Sequence, residues 1–421
     1  MNQEEIMNFN KLAYSLVLSA SFVSTASYAA GYMFSELGEL STSTAGAGVA
    51  ALAEGAETAF ANPAGMTRLK GKNIATNLGL LNLDSKYYDM GTENYDGLNH
   101  FSNESTLKKI LPLASFYFTN AVNNELSIGL SMGGTGGSGF SYSDGFAGSI
   151  MAEEGLLLTT QLNPSVAYKV SEQMSVGAGI SIEYAFINQT FGTAAFDASH
   201  DYVNAEVNAD DISFGWNIGA MYEPNEGNRF GFAYRSKIEH ELNGNLKANV
   251  SSEKIKSQIN IIMPAQAKLS GYHAVQENLA LLWTVGWQDL SAVKQTDVIV
   301  GGHNSPLVRD WQDTYSAAIG GHFRVNSDFR LEIGYSYETS PQNDPKQIFV
   351  DVPTGPISKY SAGFTWSINR DTKAQVYYEY LDGGTVRTEA NDNLSGGLLT
   401  QLNGVYDMNV HFIGANLNYA F

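Results

Sequence analysis

A chain of 421 residues without a single cysteine has no catalytic thiol, no cysteine-based zinc site and no disulfide. Its net charge of −19, from 43 acidic against 24 basic residues, argues against a nucleic-acid phosphate surface as partner. Its 42 glycines and 12% aromatic residues suit alternating strands with aromatic girdles, and no Pro/Gly/Ser linker divides the chain, so one large barrel with a plug accounts for the length.

At the start, Lys11 precedes the apolar run Leu12 to Val23, and Ser27-Tyr28-Ala29 offers the small residues a signal peptidase reads. Residues 1–29 are therefore expected to be a secretory signal, cleaved after Ala29, with Met1 or Met7 as the translation start. The stretch Gly48 to Leu69 follows, rich in small residues that let backbone pack closely in a confined space. Asn62-Pro63 in its middle ends any helix and forces an extended or turn conformation. Residues 30–70 read as a hatch inside the lumen, and residues 71–421 as the barrel.

From Gly71 onward, apolar and small or polar residues alternate with period two. Met174, Val176, Ile180, Ile182, Tyr184 and Phe186 share one face, while Ser175, Gly177, Gly179, Ser181 and Glu183 share the other. The pattern repeats at Ile212, Phe214, Trp216 and Ile218, and again at Phe329, Leu331, Ile333, Tyr335 and Tyr337. One face suits lipid and the other tolerates water. Such runs predict strands near 72–84, 112–119, 125–133, 157–170, 174–187, 212–222, 228–241, 256–271, 278–287, 313–324, 328–338, 357–367, 373–381 and 409–421. The fold class is thus all-β, a 14-stranded antiparallel transmembrane barrel. Tight connections at 120–124, 171–173, 223–227, 326–327 and 369–372 alternate with long ones, as periplasmic turns alternate with extracellular loops. A large β-sandwich or propeller is the soluble alternative, disfavoured by the signal and by the loop rhythm. After the signal no stretch approaches the ~20 apolar residues of a spanning helix, so a closed barrel is the form in which this chain can cross a membrane.

Asn62-Pro63-Ala64-Gly65-Met66-Thr67-Arg68-Leu69-Lys70 resembles the end of the hatch in FadL-type outer-membrane transporters of long-chain fatty acids and other hydrophobic compounds. Asp210 to Ile238 is similar to the central strand pair of that family, as are Leu162 to Tyr168 and Met263-Pro264-Ala265. His411 to Phe421, alternating to a terminal Phe, resembles the signal read by the barrel assembly machinery. The resemblance covers nearly the whole mature chain. It implies a hatch-closed barrel that moves hydrophobic molecules passively, through rearrangement of the hatch and an opening at a kinked third strand. Long-chain fatty acids are the first expected substrate, with aromatic or aliphatic hydrocarbons as the alternative. A polar-solute porin and an outer-membrane lipid hydrolase are the readings from other classes. No cofactor or metal is expected. The expected surroundings are outer-membrane lipid and lipopolysaccharide, and the expected state a monomer.

Within this reading Asn62, Pro63, Ala64 and Gly65 form the moving part of the hatch, or a static turn into the first strand. Leu126 to Met132 forms the third strand, which breaks at Gly133, Gly134, Gly136, Gly137, Gly139 and Phe140 into a lateral exit or an ordinary loop start. The spacing of Gly134, Gly136 and Gly139 also fits a dinucleotide fingerprint, but no helix follows it. Ile150, Met151, Leu156, Leu157, Leu158, Phe191 and Phe196 are candidates for a capture groove, worth about 0.8 kcal/mol per buried CH₂, or for loop packing. A carboxylate in a low-dielectric tunnel wants a cationic partner, and Arg68, Arg235, Lys237, Arg324 and Arg330 are the candidates. No Gly-x-Ser-x-Gly, His-Glu-x-x-His or Walker loop is present; His240, His273, His322 and His411 are the residues a wall-borne hydrolase would need.

Overall fold

Alternation along each strand becomes the inside and outside of a closed wall. The computed structural model describes residues 40–94, 102–149, 151–193, 203–248, 253–390 and 399–421, so the expected signal and the first ten residues of the expected hatch lie outside it. The wall is built from fourteen antiparallel strands. They are β1 (Lys72–Asp89), β2 (Glu104–Ala121), β3 (Leu126–Ser141), β4 (Glu154–Lys169), β5 (Met174–Thr193), β6 (Val203–Asn225), β7 (Asn228–Arg235 and Ile238–Ala248) and β8 (Lys254–Met263 and Gln266–Gln276). β9 (Leu279–Gln288), β10 (Thr314–Arg324), β11 (Phe329–Glu338), β12 (Ile357–Ser367), β13 (Thr372–Thr388) and β14 (Gly404–Ala420) complete it. β14 pairs with β1 from Asn73↔Ala420 to Asp89↔Gly404, which leaves no open edge at the closure.

The chain interrupts three strands where its chemistry requires it. Pro264 has no N–H to give the ladder, and β8 is broken there. β7 breaks beside it at residues 236–237, and the upper half of β8 pairs with Gln295–Val300, which continues β9 beyond a short turn at Leu290–Ala292. Tight turns join strand pairs at one end of the barrel, including a two-residue turn at 277–278 that the sequence pattern did not single out. Long connections lie at the other end.

Ile180, Phe214, Trp216, Ile319 and Ile333 point outward and are exposed, while Ser175, Ser181, Glu183 and Asn217 point inward and are buried. No helix among the described residues is long and apolar enough to cross a membrane, and the strands do so instead. The lumen holds two bodies. Residues 41–66 fill the short-turn half. In the other half the long connections fold inward, so that Trp311, Phe349, Val350 and Val352 join Leu81, Phe140 and Leu157 in the main apolar cluster.

Candidate functional site

The hatch is short of regular structure and rich in bonds to the wall. A 3-10 turn at Leu40–Thr44, a single helical turn at Thr58–Ala61 and a second 3-10 turn at Pro63–Arg68 are its only regular elements among the described residues. Asn62 between the last two is extended, and its Oδ1 accepts from the Ala64 N–H at 3.1 Å, capping the turn that Pro63 opens. Its Nδ2 donates to the Ala50 carbonyl at 2.7 Å and to the wall carbonyl of Ala220 at 3.1 Å. One fully buried side chain thus ties two parts of the hatch to each other and to β6. Further along, the Gly48 N–H donates to Thr284, the Ala50 N–H to Ser270 and the Ala56 N–H to Asn418.

Inward glycines, Gly177 of the water-tolerant face among them, serve this packing. A Cβ at Gly231 would lie 1.9 Å from the Ala50 carbonyl oxygen, at Gly219 2.0 Å from Asn62 Oδ1, at Gly177 2.6 Å from Ala64 N and at Gly334 2.1 Å from the Thr44 carbonyl. The missing side chains leave room for hatch backbone against the wall.

Beneath the hatch lies a charge cluster. Glu54 accepts from Arg330 Nη1 at 2.6 Å and lies 3.5 Å from Arg229 Nη2. Arg330 Nε reaches Glu332 at 2.8 Å, and Glu332 also accepts from hatch residue Ser43, from Thr365 and from Gln375. His322 is buried nearby with no hydrogen-bond partner on either ring nitrogen. Burial alone would raise the Glu54 carboxyl, but the charges around it, Arg330 foremost, hold it well below the usual carboxylate range.

Glu57 behaves in the opposite sense. It is buried in the hatch with Oε2 unpartnered, and burial pushes its carboxyl up to about 7 against a smaller lowering by its hydrogen bonds. Because the folded protein holds this proton where the unfolded chain has lost it, stability falls as pH rises from the ordinary carboxylate value to about 7, by roughly 1.4 kcal/mol per pH unit. The hatch is therefore expected to resist protease and heat better at pH 5 than at pH 8. Glu57→Gln should erase that difference; if the variant retains it, the pH dependence comes from another group.

The third strand does not break at Gly133, as the sequence suggested. It continues to Ser141 because it stays paired with β4 as far as Ser141↔Glu154, across a bulge between Gly134 and Gly136 that makes Thr135 the extra residue. What ends at Gly133 is its pairing with β2, whose last partner is Ser115; beyond it only an isolated bridge joins Leu107 to Tyr142. Thr135 to Phe140 are all buried, so this half of β3 leaves the alternation of the wall and enters the lumen. The facing edge of β2 carries Pro112, a residue suited to an edge.

Two luminal cavities flank this segment. The upper one is lined by Phe140, Leu156, Leu157, Ile187, Ile259 and Val298, with the Arg309–Asp351 ion pair at its rim. The lower one lies beside the hatch and takes in Phe60, Thr135, Gln161, Arg235, Met263 and Lys268. Of the capture candidates, Leu156 and Leu157 line the upper cavity and Met151 is buried near it. Phe191 stands opposite Ala205 at the end of β5, and Ile150 and Phe196 lie outside the described residues. Of the cation candidates, Arg68 pairs with Glu223, Arg330 with Glu54 and Glu332, and exposed Lys237 with Glu239; Arg324 is exposed where β10 enters its turn. Arg235 alone reaches the lower cavity, where it donates to Gln161 Oε1 at 3.0 Å and to the Phe60 carbonyl.

The four histidines do not assemble a hydrolase. His240 lies between Glu183 and Asp211, His273 is bonded to Asn228 and Trp283, His411 to Tyr378, and none to a serine hydroxyl. Among the described residues no cluster of His, Asp or Glu is arranged to hold a metal ion. Glu54, Arg229, Glu183, Thr135 and Lys268 were not singled out from the sequence. The available signal was an ionisable residue on an inward face, which Glu183 and Glu332 carry in plain view.

Residues 20–421 match the family described as "Outer membrane protein transport protein (OMPP1/FadL/TodX)". The chain is similar to Outer membrane protein P1 of Haemophilus influenzae, 24% identical over 98% of this chain and 99% of that one. It is also similar to the Long-chain fatty acid transport protein of Escherichia coli K12, 22% identical over the full length of both. Among solved structures, a Pseudomonas aeruginosa FadL homologue superposes with a TM-score of 0.84 at 19% identity, covering 93% of this chain and all of the other. The P. putida toluene transporter TodX gives 0.69 at 15%, covering 91% and 98%. The chain belongs to the OMPP1/FadL/TodX family: it is an outer-membrane β-barrel transporter of hydrophobic small molecules, not an enzyme.

Proposed function

We propose that the cargo is a neutral hydrophobic compound, with monoaromatic hydrocarbons the first class to test, and that it leaves the lumen sideways between β2 and β3. The state of the upper cavity supports this most directly. Its cation, Arg309, is bonded twice to Asp351, with Trp311 and Phe349 beside the guanidinium, so the cavity's charge is balanced within the protein and its wall is mostly apolar, with Ser138, Gln189 and Thr296 as its neutral polar groups. A carboxylate there would be desolvated without a free cation to pair with, whereas a neutral ring carries no charge to desolvate. Solved structures of similar fold include proteins described as toluene transporters.

A second reading rests on the lower cavity. Arg235 and Lys268 both line it, so a fatty-acid head group would meet cationic side chains beside the hatch. Sequence relatives named as long-chain fatty acid transport proteins agree with that reading.

Uptake of labelled toluene and labelled oleate by cells lacking their own transporters separates the two. Toluene entry without oleate is expected. Replacing Gly133 to Gly139 by a regular alternating strand sequence should abolish it if the exit is lateral. Oleate entry that falls about tenfold, roughly 1.4 kcal/mol, on the joint change Arg235→Met and Lys268→Met would install the fatty-acid reading instead.

A further inference from the structure

We propose that Glu183 is a positioning residue that couples the hatch to the departing half of β3; this rests on the lateral-exit reading above. Thr135, the extra residue of the bulge, donates its hydroxyl to Glu183 Oε2 at 2.6 Å. The same oxygen accepts from Gln161 Nε2 at 2.9 Å, and Gln161 Oε1 accepts from Arg235 Nη1. The other guanidinium nitrogen of Arg235 donates to the carbonyl of Phe60 in the hatch helix, while the guanidinium lies 3.7 Å from the centre of the Phe60 ring. An unbroken chain of contacts thus runs from hatch to bulge: Phe60, Arg235, Gln161, Glu183, Thr135.

Glu183 is braced from its other side. Its Oε1 lies 3.2 Å from His240 Nε2, His240 Nδ1 lies 3.0 Å from Asp211 Oδ2, and Ser213 donates to that same carboxylate oxygen. Thr135, Gln161, Glu183 and His240 are all buried, and although Thr135 Oγ1 also lies 3.0 Å from Thr159 Oγ1, the Glu183 carboxylate has no bulk water to replace a bond lost within the chain, a loss of about 1–3 kcal/mol each. The links are therefore made or released together. A molecule entering the lower cavity meets Phe60 and Arg235 at one end and Thr135 at the other. Displacing Phe60 draws Arg235 from Gln161, turns the Gln161 amide from Glu183, and frees the Thr135 hydroxyl that anchors the bulge. Movement of the hatch then loosens the edge of β3 without any direct contact between them.

The absence of native cysteine makes the test clean. Cysteines in place of Lys108 on β2 and Ser141 at the end of β3 carry spin labels beside the isolated Leu107–Tyr142 bridge, at the far end of the unpaired edge, and their distance distribution is read in nanodiscs. Thr135→Val, which removes only the hydroxyl, and Arg235→Met, which cuts the chain at the hatch end, are expected to shift the distribution in the same direction. Thr135→Ser should restore the native one. Heat-modifiable migration on gels confirms that each variant is a folded barrel. An unchanged distribution in Arg235→Met beside a shifted one in Thr135→Val reduces Glu183 to a local staple and overturns the coupling; so does a native distribution in both. The exit route is tested separately: uptake that survives replacement of Gly133 to Gly139 by a regular strand sequence refutes the lateral exit, while the labels in the native background still report on the coupling.

Discussion

A barrel carrying Gly231→Val is expected to conduct ions steadily across a planar bilayer where the native chain is nearly silent. Gly231 faces the hatch from β7, and a Cβ there falls 1.9 Å from the Ala50 carbonyl oxygen, 2.4 Å from its carbon and 2.9 Å from Ala51 N. All three are backbone atoms, so no side chain can rotate away, and the hatch itself must move. Overpacking a well-filled interior costs about 1–3 kcal/mol even where side chains can adjust. Here the displaced carbonyl is also the acceptor for Asn62 Nδ2, so the shift strips a hydrogen bond from the buried residue that caps the Pro63 turn. The wall is held by ladders around the whole circumference, whereas the hatch is held by scattered side-chain bonds; the hatch yields first. Gly321→Val is the control, since the nearest atom to a Cβ there is the Ala280 carbonyl at 3.7 Å. A Gly231→Val barrel that stays silent and as heat-stable as the native one would falsify the view that wall glycines seat the hatch.

The same glycines mark where sequence reading ended. Period two identifies the faces of one strand, and for Met174 to Phe186 it assigned lipid and lumen correctly. It carries no information about what stands across the lumen, so Gly177 and Gly219 passed for an aqueous face although hatch backbone lies against the first and the Asn62 side chain against the second. The strands were legible because each is a local pattern repeated, and Asn62-Pro63 was legible as a helix stop because its effect is local too. The turn at 277–278 was missed because the expected strand stopped at residue 271, short of Tyr272 to Gln276, and left a gap that read as a long connection. Gly133 marked a real change, but in the pairing with β2 and not in the strand itself. The contacts that hold the hatch join residues hundreds of positions apart, Ser43 to Glu332 and Glu54 to Arg330 among them, and no window along the chain contains both partners.

Removing one of those partners should have the largest effect of any single charge change. Glu54 and Glu332 together balance Arg229 and Arg330; Arg229 and Glu332 are buried, and the Glu54 and Arg330 side chains are each 19% exposed. Glu54→Ala leaves an excess positive charge there, and breaking a buried pair in this way costs about 3–5 kcal/mol. Because Glu54 is the hatch's own contribution to the cluster, the loss falls on seating and not on the strand ladders. The variant is expected to show a lowered heat-modifiability midpoint, protease cleavage within residues 41–66, and channel openings in a bilayer. Adding Arg229→Leu should recover part of the loss, since Arg330 and Glu332 then balance. The sign with pH follows from the direction of the Glu54 shift: a carboxyl held below its ordinary value adds stability that is complete above that value and disappears only as pH falls through the lowered one. The native seat should thus survive at pH 4, where an ordinary carboxylate pair is already failing. A native hatch that loosens there, or a Glu54→Ala barrel indistinguishable from native in all three measurements, would mean that the hatch is held by its backbone contacts alone.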